Sequence, residues 1–271
     1  MLDGSAIAAA ETRFWEDLWQ TAPTDAVEEA EVRCRRFGPV HAAVFGDLPD
    51  ALPLNVVQGA AEPGAVEEGH LIEAIEWARS REVDFRISVA ADRPGTERAE
   101  DWLRSRDYER GSTVRRFARK PTAEVADFPP GVTIRELHAL QTEGMSHVVA
   151  KTFELPGLAT VLLFGLPDRE GWHCYAASVD GTEAACGSLM VIGPLGLLTL
   201  DATLPAARRR GCHTALIARR LTDAARAGCE SVIAEVCDGP PTTPEAVTNL
   251  ERAGFVEIPG LTNWRRPSGI A

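Results

Sequence analysis

The chain has 271 residues, of which 45% are hydrophobic and 25% charged, and a formal net charge of −12. At roughly 100–200 residues per domain this length predicts two units, and the composition excludes a disordered chain. No stretch approaches the roughly 20 apolar residues of a membrane helix, the N-terminus lacks the pattern of a signal peptide, and an acidic surface disfavours nucleic acid while suiting a cationic partner.

In chain order, residues 5–20 read as an amphipathic helix carrying Phe14, Trp15, Leu18 and Trp19, followed by strand-like runs at 33–45 and 52–58. A helix at 66–81, a strand at 83–90, a helix at 95–106 and a strand over STVRRFARK complete the first part. The Pro-rich segment from Lys120 to Gly131, with Pro129-Pro130, continues neither helix nor central strand and is the linker expected between two domains, 1–124 and 131–271. After it come a strand at 132–137, a helix over 139–153 and an apolar helix near 156–165. An antiparallel meander at 172–179, 182–192 and 195–204 follows, with turns at Asp180-Gly181 and Gly193-Pro194. A helix at 208–227, a strand at 231–237, a helix at 242–253 and a strand from Phe255 close the chain. Both parts end in the order helix, strand, helix, aromatic residue, strand, a faint internal repeat. The fold class is α/β (α+β), with mixed, mostly antiparallel sheets flanked by helices. The six cysteines form no C-x-x-C pair, so neither a metal site nor a disulfide framework is expected.

The segment LLTLDATLPAARRRGCHTALIARRL carries the chemistry. A strand runs through Pro205 into a helix whose start holds Arg208, Arg209, Arg210 and Gly211. Cations at a positive helix end cost a few tenths to about 1 kcal/mol each, unless a bound polyanion gathers the guanidinium groups and free amides around it. A solvated basic turn paired with surface carboxylates is the plainer alternative.

This segment resembles motif A of the GNAT N-acetyltransferase superfamily, Q/R-x-x-G-x-G/A after a strand and a proline. Arg208 stands at the Q/R position, Gly211 at the glycine and Pro205 at the proline, while His213 replaces the last Gly/Ala. The order of elements over residues 131–266 also resembles the family, including the Ala253-Gly254-Phe255 step. The resemblance implies a tandem GNAT-like fold in which 131–271 is the catalytic domain and 1–124 a degenerate copy. It implies an enzyme that transfers acetyl from acetyl-CoA to a primary amine of a small molecule; a monomer or homodimer is expected, and a cytoplasmic location follows as the default from the lack of membrane and signal patterns. The alternatives are a non-catalytic acyl-CoA-binding or regulatory protein and a protein acetyltransferase. By similarity, the main chain of Ala202, Thr203 and Leu204 binds the pantetheine arm, and Arg208, Arg209, Arg210, Gly211, Cys212, His213 and Thr214 hold the pyrophosphate. Asp201 is the first candidate base and Glu235 the second. Leu250 stands where the family has a tyrosine acid, so Tyr175, His173, Cys237 or water remain for that role. The first part's counterpart of the phosphate loop, Glu62 to Glu68, is acidic and lacks the signature.

Overall fold

The computed structural model describes residues 4–20, 24–29, 31–48, 54–124, 128–138, 141–155, 160, 162–239 and 244–267. The first part contains α1 (Gly4–Gln20), α2 (Thr24–Glu29), β1 (Val32–Phe37), β2 (Val40–Phe45), β3 (Val56–Gln58), α3 (His70–Arg79), β4 (Arg86–Ala90), α4 (Thr96–Arg104) and β5 (Glu109–Arg119). Then follow β6 (Val132–Glu136), α5 (Glu143–Phe153), β7 (Trp172–Val179), β8 (Thr182–Ile192), β9 (Leu195–Thr203), α6 (Cys212–Arg226), β10 (Ser231–Cys237), α7 (Pro244–Arg252) and β11 (Val256–Arg265). The expected run at 33–45 is a hairpin broken at Gly38-Pro39. The helix expected from residue 66 begins at His70, after a series of turns. The apolar helix expected near 156–165 lies partly outside the described residues, and what is described there includes a 3-10 turn at Leu166–Asp168.

All strands join one 11-stranded sheet in the order β1-β2-β3-β4-β11-β5-β10-β9-β8-β7-β6. It is antiparallel except at β3–β4 and β9–β10, which are parallel. In place of two separate sheets, the last strand of each part crosses over: β11 lies between β4 and β5, and β5 between β11 and β10. The register fixes this arrangement, with Val256 opposite Ala118, Leu261 opposite both Val114 and Ala90, and Val232 opposite Arg119. A register shift between Ile258 and Leu261 accommodates Pro259, which has no amide to give to a ladder.

Helices cover both faces. One face packs α1 and α5 on Phe45, Val56, Cys186, Leu197 and Ile233. The other is covered by α6 and α7 over Leu198, Val232 and Ala234, and by α3 and α4 over Val57, Ile87 and Trp264. The alternation along β10 decides what each side sees: Val232, Ala234 and Val236 point to α6 and α7, while Ile233 joins the face of α1. The buried sides of α1 and α6 are largely apolar but carry buried charge, at Glu11 and Asp17 in α1, Asp17 paired with Arg13 and Arg169, and at Arg220 in α6. Burying charge is costly without a partner, so Glu11 and Arg220 point to the polar clusters described next.

Candidate functional site

The two parallel strands β9 and β10 pair only from Leu195 to Leu198 against Ser231 to Ala234. Beyond that point β9 stays on β8 and β10 stays on β5, so each is held from its outer side while the inner edges diverge. A bulge accompanies the parting. Leu200, at φ 54°, and Asp201 stand together opposite Gly187, which bends β9 and aims Asp201 towards α6. The edges left open, 199–203 and 235–237, offer backbone N–H and C=O groups to an extended ligand. Ala202 and Thr203 lie on this edge, and Leu204 follows it.

β9 ends in a 3-10 turn at Pro205–Ala207, after which Arg209 (φ 62°) and Gly211 (φ 85°) are both left-handed. Such residues do not continue a right-handed helix, so α6 starts at Cys212 and not at 208 as expected from the sequence. Arg208, Arg209 and Arg210 therefore form a loop before the helix. Among the described residues, the amides of Arg209, Gly211, Cys212, His213 and Thr214 have no hydrogen-bond partner, and α6 has no side-chain N-cap. Arg208 and Arg209 are exposed and without an acidic partner among the described residues; Arg210 donates to Asp180 at 2.9 Å. This is a concave run of free donors at a positive helix end, chemically suited to a pyrophosphate.

Gly211 is needed here on two counts. Its φ is left-handed, and a Cβ would lie 2.5 Å from Pro129 Cγ. A Gly211→Ala variant is expected to lose about 1–3 kcal/mol of stability and to distort the loop, measurable as a lower urea midpoint at unchanged m. A midpoint equal to wild type would show that the loop adopts another conformation.

On the α6 side, the Asp201 carboxylate is gripped by both terminal nitrogens of Arg220, with Nη1 at 2.9 Å. Arg220 has no exposed surface and also donates to the carbonyls of Leu216 and Ser188. A methyl on Gly187 would approach Arg220 Nη1 to 2.8 Å, so the small residue opposite the bulge makes room for the pair. Asn249 Nδ2 donates to His213 Nδ1 at 3.1 Å, which places the ring proton on Nε2, 3.6 Å from Asp201 Oδ1. Burial pushes the His213 pKa down against the pull of Asp201, so the ring is neutral at physiological pH. The side chain at the motif's atypical position is thus folded onto Asn249 and Asp201.

On the opposite face, Glu235 is the first residue of β10 past the pairing with β9. Its Oε1 accepts from Arg116 Nε at 2.9 Å. Arg116, buried in β5, also binds Glu11 of α1 and lies 3.6 Å from Asp92. Burial first, and then the charge of Glu235, hold the Glu11 carboxyl well above the usual range, against the pull of Arg116.

Asp201 and Glu235 lie on opposite faces of the sheet, on the two strands that flank the cleft opened where β9 and β10 part, and the motif loop follows β9; Tyr175 lies away from it. Two strands, β8 and β9, separate β7 from the cleft. The Tyr175 hydroxyl donates to Asp223 at 2.9 Å, and burial and that carboxylate push its pKa up. His173 is bound to Glu136 on β6. Of the three candidate acids only Cys237 lies on a strand that lines the cleft. Leu250 is buried in the core under α6 and α7. Sequence reasoning missed Arg220, Arg116 and Glu11. The readable signal for Arg220 and Glu11 was a charge within an apolar stripe; Arg116 sits in a strand where only pairing reveals its partners.

No protein-family model matches the sequence, and a search of curated proteins finds no significant match. Solved structures do match. A GCN5-related N-acetyltransferase from Kribbella flavida superposes with a TM-score of 0.68 at 18% identity, covering 97% of this chain and 95% of its own. One from Sphaerobacter thermophilus gives 0.61 at 16%, covering 84% and 81%. A tandem GNAT protein from the clavulanic acid biosynthesis pathway gives 0.59 at 15%, covering 86% and 79%. The chain has the GNAT fold, matched over nearly its whole length by one of these structures.

Proposed function

We propose that this chain, with its GNAT fold, is an N-acetyltransferase that takes acetyl from acetyl-CoA and delivers it to a primary amine of a small molecule. One observation carries the reading: the cleft between β9 and β10 runs directly into five unpaired amides flanked by exposed arginines. Arg208 to Thr214 would hold the pyrophosphate, and the open edge at Ala202, Thr203 and Leu204 would bind the pantetheine amides. That path ends at the bulge, with Asp201 on one side and Glu235 on the other. Both carboxylates rest on a buried guanidinium, but Asp201 is the carboxylate partner of Arg220, whereas Arg116 keeps Glu11 and Asp92 when Glu235 takes a proton, so Glu235 is the better placed base. Cys237, two residues along the same strand, is the candidate donor to the departing thiolate; burial pushes its thiol up, which keeps it protonated. Residues 131–271 form the catalytic unit on this reading and 1–124 a degenerate copy, in which β3–β4 repeats the parallel pair of β9–β10. The acidic loop of that copy is internally paired, with Glu62 bound to Arg93 at 2.6 Å through two nitrogens.

Calorimetric titration of CoA tests the site. Arg208→Glu with Arg209→Glu is expected to weaken binding by roughly 30-fold or more, with melting unchanged. Equal affinity would overturn the assignment. Release of CoA thiol from acetyl-CoA across a panel of primary amines tests the reaction. Tight CoA binding without release would favour a non-catalytic acyl-CoA-binding protein, and acetylated host proteins in place of small amines would favour a protein acetyltransferase.

A further inference from the structure

Glu235 is joined to a second carboxyl from the far end of the chain. Resting on the acetyl-transfer reading above, we infer that Glu11 of α1 and Glu235 of β10 hold one proton between them and act as a single base towards the acceptor ammonium. Glu11 occupies an apolar-stripe position between Ala10 and Phe14, buried against the sheet. One guanidinium spans both: Arg116 Nε binds Glu235 and Nη2 binds Glu11, which sets the two carboxyls side by side along one edge of the guanidinium. Two carboxyls so placed compete for one cation, and burial removes the water that would otherwise stabilise a second anion.

The surrounding charges support a retained proton. From β4 comes Arg86, half-buried and attracted by Glu11 and Glu235. Beyond β4 comes Asp92, from β5 Arg116, and from β10 the neutral thiol of Cys237. On α1 itself, Arg13 and Asp17 bind each other. Two cations thus face three carboxyls, and a single proton makes the group neutral. The two carboxyls share Arg116, so the proton is held beside both of them.

In the reaction the pair first gives its proton to water and then takes one from the ammonium: an N–H bond breaks and an O–H bond forms on Glu235, with Glu11 sharing the proton. The freed lone pair attacks the thioester carbonyl, a C–N bond forms and the C–S bond breaks. The sulfur leaves as a thiol with the proton of Cys237, the second nitrogen proton replaces that one on Cys237, and the pair again holds its one proton. A carboxylate that shares its proton with a buried neighbour is better matched to an ammonium than an isolated glutamate. Glu11 is a positioning residue that works through Glu235.

Two measurements on the full chain test this. Isotope-edited infrared spectra of the ¹³C-glutamate protein are expected to keep a carboxylic-acid band above the pH at which exposed carboxyls ionise. Glu11→Gln removes it, Glu235→Gln moves it to lower pH, and Glu11→Asp retains part of it. A wild type without the band, or a band unmoved in Glu235→Gln, overturns the shared proton. In turnover with acetyl-CoA and a primary amine, Glu11→Gln is expected to shift the acid limb of kcat/KM down by about one pH unit. It should lower kcat about tenfold, with KM for acetyl-CoA unchanged. A lower kcat with an unmoved limb means that Glu11 only holds structure, and overturns its part in proton transfer. Wild type that binds no CoA would sink the acetyl-transfer reading and the pair's catalytic role with it, and the infrared result would then stand or fall alone.

Discussion

Replacing Asp201 by alanine is expected to destabilise the protein by about 2–4 kcal/mol, a large part of the roughly 5–15 kcal/mol that holds a folded domain together. The cause is what the substitution leaves behind. Arg220 has no exposed surface, and Asp201 is its carboxylate partner. Without it a guanidinium remains buried with only the carbonyls of Leu216 and Ser188 for company. Removing one member of a buried pair typically costs about 3–5 kcal/mol; the range is set lower here because the Asp201 side chain is 30% exposed and water can enter in its place. The melting temperature should fall by roughly 5–15 °C. Arg220→Met alone should cost less, and the double variant less than the sum of the two, since each change relieves the other's uncompensated charge. Turnover per folded molecule, measured well below the melting range, should fall less than in Glu235→Gln. A loss of under about 1 kcal/mol, or turnover abolished by Asp201→Asn alone, would return Asp201 to the role of base.

The second large effect concerns the chain as a whole. Fragments ending at Glu124 and beginning at Phe128 are expected not to fold separately. The later fragment would lack β5, which lies between its β10 and β11, and so would expose strand edges on both. The earlier one would leave β4 and β5 parted by the width of a missing strand. Exposed flat edges seek other strands, so each fragment alone should be insoluble or aggregated, while co-expression should recover a soluble pair. Size-exclusion chromatography and circular dichroism decide it: a monomeric, cooperatively melting later fragment would show that the shared strands are dispensable.

Much of the element order was legible because local pattern carries it. The apolar periodicity of CHTALIARRLTDAAR and the alternation in the meander survive into α6 and β7 to β9 with little shift. The boundary at 208 misled because arginine is a good helix former, and only the left-handed backbone at Arg209 shows that the helix has not yet begun. The candidate bases were ranked by position along the strand, which is blind to what faces them. Asp201 meets a guanidinium 19 residues on, about two turns into α6, and Glu235 meets one contributed by β5 that also binds a carboxyl from α1. Partners at such separations are set by tertiary packing, which local pattern does not record. The strand exchange has the same origin, since β5 and β11 read as ordinary terminal strands of their own parts.

The central place of β11 also orders events during synthesis. It follows every other strand in the chain, yet its neighbours are β4 and β5, made long before it. While the ribosome is still translating the second part, β5 can bond on neither side: β10 and β11 are both yet to come. The nascent first part must therefore wait with an open seam until nearly the whole polypeptide has emerged, which predicts slow, non-local closure and a period in which a chaperone that masks strand edges would raise the yield.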